Sequence, residues 1–430
     1  MVWKRCLQII SLLIGLWLGW GILAQIGAEI FWFQEVGYLQ VLQLRLLAQA
    51  SVGITVSSIT ALYLLGNLEI ARKFKYVQQS KVSAGVKRSP TIKLNWLLPG
   101  ILGLNLLVVL LLFHYSKVAW NYWQPTDFSK PNISPSIPPL FTIESIWQMC
   151  QQLGSQSLTG SLLLGSAIAL LIYPQLLLKA IALLLSAIMG LVLSAQWANI
   201  LQYLRPTAFN KIEPLFNKDI GFYIFTLPIW KLGEFWLVGL SLYGLIAVTI
   251  TYLRSGDSLS QGRFRGFSLP QQQHLLALSS ALMVIVAFNY WLSRYELLYS
   301  TRGVAYGASY TDIAIQLPVY TLLSGMGIAI ALLLLISAIA NKSSFIVYGL
   351  GLYATIAIGA DSILPIAVQR LIVQPNELTR ERPYIERSIA LTRQAFDLEN
   401  IEIRSFNPQD TLTYADIVIC SPTVLIALIP

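Results

Sequence analysis

The chain has 430 residues, 56% of them hydrophobic and only 11% charged. A soluble domain carries about 25% charge, so the composition excludes an ordinary globular protein and points to a chain that crosses a bilayer several times. The net charge of +9 does not indicate nucleic acid, because the basic residues cluster beside apolar runs, where they suit lipid headgroups and topology.

A helical span needs about 20 apolar residues. Nine stretches qualify: residues 6–28, 47–68, 96–115, 155–173, 178–200, 232–253, 274–292, 319–340 and 344–364. The first follows Lys4 and Arg5 and carries Trp17 and Trp20. It exceeds the apolar core of about 7–15 residues found in a signal peptide, so it reads as a retained helix. The fourth and fifth form one apolar block, broken at Tyr173-Pro174-Gln175 and Lys179. With the N-terminus inside, Lys4, Arg5, Arg72, Lys73, Lys75, Lys81, Lys87, Arg88, Lys93, Lys179, Arg254, Arg263, Arg265 and Lys342 all fall inside. The outer loops are longer and less basic, as the positive-inside rule requires. Fusing spans four and five would put Arg254–Arg265 on the wrong side.

The loop Lys73–Lys93 is basic and polar, and is expected beside lipid headgroups. The loop Asn121–Pro139 holds five prolines and is expected to be extended. Residues 1–364 read as a transmembrane helical domain and residues 365–430 as the incomplete start of an extracytoplasmic soluble α+β domain. There Pro383 suits the first position of a helix, where a missing N–H costs nothing. Ile385, Ile389 and Phe396 make its apolar stripe, and Ile401–Phe406 alternates like a strand. The fold class is therefore all-α, a polytopic helical membrane protein of about nine spans with the start of a soluble outer domain.

This topology gathers four aromatic and polar stretches at the outer face: Phe31–Tyr38, Phe216–Pro228, Arg294–Pro318 and the stretch from Gln369. The third supplies the candidate cluster Arg294, Tyr295, Glu296, Arg302, Tyr306, Tyr310 and Asp312, with Gly303 and Gly307 permitting tight turns. Such residues dock helices to an outer domain through Arg–Asp or Arg–Glu pairs, or bind an anionic or sugar-like ligand; docking is the favoured reading. Within the spans, Asn105, Gln196, Asn199 and Asn289 suit interhelical hydrogen bonds. Glu69 pairs with Arg72 or Lys73 at helical spacing. Glu234 and Asp361 lie near outer span ends, within expected reach of water.

Catalytic signatures are absent: the sequence has no GxSxG, P-loop, HExxH or GxGxxG motif. Ser309 has no histidine nearby in sequence, and His274 belongs at the far end of its own span. Cys6, Cys150 and Cys420 form no CxxC pair and are expected to be unpaired. With only His114 and His274 besides, no metal site or cofactor is expected.

Four stretches carry a family resemblance: Trp32–Tyr38 with Arg45 beyond, Asp219–Pro228, Arg294–Asp312 and Gln369–Ile389. They resemble uncharacterised protein family 0182, large multi-spanning bacterial membrane proteins. The resemblance implies an N-terminal membrane region followed by a large extracytoplasmic region in the cell membrane. It implies no reaction, cofactor or catalytic residue. Family members continue for hundreds of residues past the position matching Ile417, so a truncated or frameshifted product is expected. The expected function is a plasma-membrane anchor or scaffold for an extracytoplasmic domain in envelope assembly, not an enzyme, with N-terminus cytoplasmic and C-terminus outside. Its partners would be the lipid bilayer and envelope or membrane proteins, with no nucleic acid and the oligomeric state open. The alternative is a small-solute transporter or permease, with a cavity lined by Asn289, Arg294, Glu296 and Asp361. A membrane enzyme acting on lipid-linked substrates would need an interfacial acidic or histidine cluster, which the sequence does not offer.

Overall fold

Residues 19–21, 24–75, 92–123, 138–155, 157–254, 263–264, 266–303, 305–340 and 346–401 are described by a computed structural model. Most of the first expected span, the basic and proline-rich loops, the strand expected at Ile401–Phe406 and the apolar tail lie outside the described residues. So do Cys6 and Cys420, while Cys150 is a free, exposed thiol.

The helices are α1 (Leu39–Lys75), α2 (Leu94–Trp123), α3 (Ile143–Ser155), α4 (Ser157–Ile172), α5 (Pro174–Ala195), α6 (Trp197–Leu204), α7 (Leu227–Leu253), α8 (Leu269–Glu296), α9 (Leu317–Ala340), α10 (Ile346–Ala357), α11 (Leu364–Val368) and α12 (Glu377–Ala395). Sheet is confined, among the described residues, to two antiparallel two-residue pairs. Ile92–Lys93 pairs with Arg263–Phe264, and Ile212–Glu213 with Lys218–Asp219.

Among the described residues, seven helical runs are long and apolar enough to cross a membrane: Leu39–Phe74, Leu97–Tyr122, Pro174–Ala195, Phe222–Leu253, Leu269–Tyr299, Asp312–Ala340 and Gly349–Ala395. Each overlaps one of the nine expected spans. The stretch expected to span at residues 155–173 is helical from Ser157 to Ile172, and its start adjoins Gln156, which lies outside the described residues. The expected break after it is present. The chain bends at Tyr173, and Pro174 opens α5 without losing a helical bond.

Two cores hold the bundle. In the larger, α1, α2, α4, α5 and α7 pack around Leu111, Tyr115, Leu170, Leu185, Met189 and Phe235. In the smaller, α8, α9 and α10 meet at Met283, Leu323, Leu334 and Tyr353. Polar side chains that bonding leaves no water for reach carbonyls of neighbouring helices. The Tyr115 hydroxyl donates to Phe235 O at 3.0 Å, Ser280 to Ala331 O at 2.7 Å, and Asn105 to Ala167 O at 3.4 Å. On α9, Ala331, Leu334 and Ala338 are buried while Leu332, Leu333, Ile336 and Ile339 are exposed. A helix apolar on every face suits lipid, not water, on its outside.

Among the described residues, three helical runs contain four widened π turns: Phe222–Thr226, Asp312–Gln316, and both Ile358–Ile363 and Gln369–Val373 in the last. Each ends two residues before a proline: Pro228, Pro318, Pro365 and Pro375. Proline offers no N–H and its ring crowds the carbonyl four residues back. In every case the residue before the proline stays helical but donates five residues back: Leu227 to Phe222, Leu317 to Asp312, Leu364 to Gly359 and Gln374 to Gln369. The extra residue makes room for the ring without ending the helix. Pro383 corrects the expectation made for it. It lies inside α12, because the helix already starts at Glu377.

The two ends of the bundle differ. The C-terminal ends of α1 and α7 meet the starts of α5 and α8 at one end, where Gln271 donates to Phe74 O at 3.1 Å and His274 contacts Tyr252 and Asn67 at 2.7 and 3.0 Å. The start of α7, the loop after α8 and the π turn before α9 gather at the other.

Candidate functional site

That second end is built on two folded loops. In the hairpin before α7, the Glu213 carboxylate accepts N–H bonds from Leu215 (2.7 Å) and Phe216 (2.8 Å) and the Tyr223 hydroxyl (3.2 Å). Asp219 likewise accepts from Gly221 N at 2.6 Å and Phe209 N at 3.3 Å. Short carboxylates that bond their own backbone favour turns over helix. In the loop after α8, Gly307 N donates to Ser300 O at 2.9 Å, with Gly307 at φ +132. Gly303 approaches Ser309 so closely that a Cβ on it would sit 2.8 Å from the serine Cβ.

Arg302 reaches from this loop into the π turn that precedes α9. Its Nη1 lies 3.1 Å from Asp312 Oδ1 and donates to Gln316 Oε1 at 2.8 Å. Asp312 is fully buried, and its second oxygen accepts the N–H (3.0 Å) and hydroxyl (2.7 Å) of Ser309. Gln316 passes the chain on, donating to Tyr320 OH at 3.2 Å. Tyr320 and Tyr290 both hydrogen-bond Asp361 in the next π turn. Asp312, Gln316 and Asp361 all sit in π turns, which turn polar side chains inward between α8 and α9.

A second network lies on the α7 side of α8. Lys231 Nζ contacts Glu234 Oε2 at 3.0 Å and Glu296 Oε2 at 2.8 Å, and Asn289 donates to Glu234 Oε1. Glu234 is 0% and Lys231 4% exposed. Expected access of Glu234 to water is therefore corrected: α7 and α8 close over it, and Lys231 and Asn289 take the place of solvent. A charge at this depth persists only when so paired.

The third part is a clamp onto α12. Tyr310 N donates to both oxygens of Glu381, at 3.3 and 3.2 Å, and Glu381 is buried. Arg380 lies 5.2 Å over the Tyr310 ring, and Thr311 Oγ1 donates to Gln369 Oε1 at 2.6 Å. Beside the clamp is a cavity of about 230 Å³, lined by Glu213, Tyr306, Ser309, Glu381, Tyr384 and Arg387 among others.

The seven candidate residues therefore divide among distinct environments. Arg302 and Asp312 pair directly. Tyr310 joins the clamp, and Tyr306, 66% exposed, borders the cavity. Glu296 belongs to the lysine network. Tyr295 is buried among Phe216, Phe222, Tyr223 and Trp291. Arg294 makes no ion pair among the described residues, and its Nε is buried without an acceptor. Lys231, Gln316, Gln369, Arg380 and Glu381 join these networks without being among the seven candidates. The signal for Gln316 and Gln369 was their place in the turn before a proline.

Chemically, the arrangement fixes charges against one another. Ser309 spends its hydroxyl on Asp312, and His274 sits at the opposite end of α8. Among the described residues no group of three His, Cys, Asp or Glu is placed to hold a metal ion.

The Uncharacterised protein family (UPF0182) matches residues 6–424. A UPF0182 protein of Nostoc sp. is 49% identical over 97% of this chain and 45% of its own length. One from Trichodesmium erythraeum is 39% identical over 93% of this chain and 44% of its own. One from Microcystis aeruginosa is 36% identical over 92% and 43%. The chain thus spans less than half the length of these relatives. No solved structure matches it. Matched along almost its whole length, the chain belongs to the uncharacterised protein family UPF0182.

Proposed function

We propose that the chain is a multi-pass plasma-membrane anchor that holds an extracytoplasmic region rigidly for envelope assembly and catalyses no reaction itself. Its N-terminus lies in the cytoplasm and its C-terminal region outside. Its partners are lipid and envelope or membrane proteins rather than nucleic acid.

One observation carries this reading. Gly349–Ala395 is a helical run of 47 residues that leaves helical geometry once, at Asn376 (φ −138, ψ 45), before α12 turns to the clamp. Its first half is apolar and its second half charged, and the charged half is held to the bundle through Glu381, Arg380 and Gln369. A stalk clamped at its exit transmits the orientation of the membrane region to whatever follows it.

The test is a distance measured between spin labels at Tyr306 and Arg382, in the full chain in lipid nanodiscs. An anchor gives one narrow distribution that broadens in Glu381→Ala. A broad distribution in the parent protein overturns the reading.

The Lys231–Glu234–Asn289–Glu296 network, buried at Lys231 and Glu234 and open at Glu296, favours a second reading, a small-solute permease in which these charges couple transport to an ion. Proton flux into proteoliposomes after a pH jump, abolished by Lys231→Met, would establish it. No flux above lipid-only vesicles leaves the anchor.

A further inference from the structure

At the bundle end opposite the clamp, three cations converge from three helices. Arg72 comes from α1, Lys179 from α5, and Arg254 from the end of α7. Together with Leu68, Pro174, Gln175, Leu178 and Thr251 they line one notch. One carboxylate serves this group: Glu69 pairs with Arg72 at 3.0 Å and with Lys179. Arg254 donates to the carbonyl of Leu171 and has no carboxylate partner among the described residues. Three positive charges against one negative leave an excess of two.

The backbone adds to this excess. Tyr173 provides no side-chain cap for α5, and Pro174 has no N–H. The amides of Gln175 and Leu176 are therefore left for an acceptor from outside the helix, and the N-terminal end of α5 favours a negative charge there.

The shape of the notch decides which anion fits. It is an open cavity of about 30 Å³, too small to enclose a solute. It is suited to a headgroup arriving along the membrane surface, with the buried Leu68 and Leu178 as its apolar floor and the exposed Leu176 beside it lying where acyl chains begin. We propose that this notch is a binding site for an anionic phospholipid, with the phosphate held by Arg254, Lys179 and Arg72 at the start of α5. Basic pockets between span ends take such headgroups by direct charge pairing. The site does not depend on the anchor reading or on which leaflet it faces.

The test is native mass spectrometry of the full chain in detergent, titrated with dioleoylphosphatidylglycerol, with dioleoylphosphatidylcholine, or with sodium phosphate alone. An excess of two charges predicts phosphatidylglycerol bound about thirty-fold more tightly than phosphatidylcholine, at roughly one factor of five per cation. Lys179→Gln and Arg254→Gln should each weaken phosphatidylglycerol about five-fold and leave phosphatidylcholine unchanged. Lys179→Gln preserves the Arg254–Leu171 bond, so it reads out even where Arg254→Gln does not fold. Equal affinity for the two lipids overturns the proposal, as does undiminished phosphatidylglycerol binding in Lys179→Gln. Displacement of the lipid by equimolar phosphate alone also overturns it, since the site would then take a free anion.

Discussion

Glu381 and Tyr310, 71 residues apart, are joined by a single backbone N–H that both carboxylate oxygens accept. Replacing Glu381 with alanine takes the acceptor from that half-buried donor, at a cost of about 1–3 kcal/mol. Glu381→Gln keeps an acceptor and should lose less. Thermal unfolding in detergent should rank the three proteins parent, glutamine, alanine. An alanine variant as stable as the parent would mean that the clamp contributes nothing.

Lys231 sits between Glu234 and Glu296. Lys231→Met leaves Glu234 a buried carboxylate without a cation, which typically costs about 3–5 kcal/mol. Removing both charges, as Lys231→Met with Glu234→Leu, should restore most of the loss, because neither partner remains to be desolvated. The measurement is a double-mutant cycle by denaturant or thermal unfolding. Simple additivity of the two single losses would show that the pair is not coupled.

Gly303 and Gly325 respond oppositely to alanine. A Cβ at Gly303 meets the Ser309 Cβ at 2.8 Å, whereas one at Gly325 meets nothing within 4 Å. Gly303→Ala should destabilise by about 1–3 kcal/mol through crowding. Gly325→Ala, in the middle of α9, should stabilise by about 0.4–1 kcal/mol. Melting temperatures that shift in the same direction would contradict this local geometry.

Pro318→Ala restores a donor that can bond Ala314 O and close the π turn into regular α-helix. Losing the extra residue turns Asp312 by about 100° relative to α9, away from Arg302 and Ser309. Hydrogen exchange at the Ser309 amide, now bonded to Asp312 Oδ2, should speed up. An unchanged rate would show that side-chain pairing, not the proline, sets the turn.

These residues also show what the sequence makes legible. The run at 319–340 was plain because about 20 apolar residues leave little choice but a span. The run at 155–173 met the same count, and its end at Tyr173 was legible from Pro174, which cannot continue the bonding of the helix before it. Arg302 and Asp312 stood out as charges at bilayer depth. Glu381 did not, because its role depends on α12 returning over the loop, which no local pattern encodes. Lys231 escaped notice because, as the residue just before the span expected at 232–253, it reads as reaching for the interface. The prolines were visible, but their effect depends on surroundings. Pro318 lies in an apolar bundle and takes a π turn, whereas Pro383 and Thr379, four residues before it, are exposed in α12. Water can there take up the carbonyl that the proline leaves unbonded.

The outward face of α9 has a consequence away from the membrane. Leu332, Leu333, Ile336 and Ile339 are exposed on it, and a contiguous apolar face of that kind associates with any other it meets in water. The chain therefore stays dispersed only inside a belt of lipid or detergent, and dilution below the amount that covers this face drives it to aggregate.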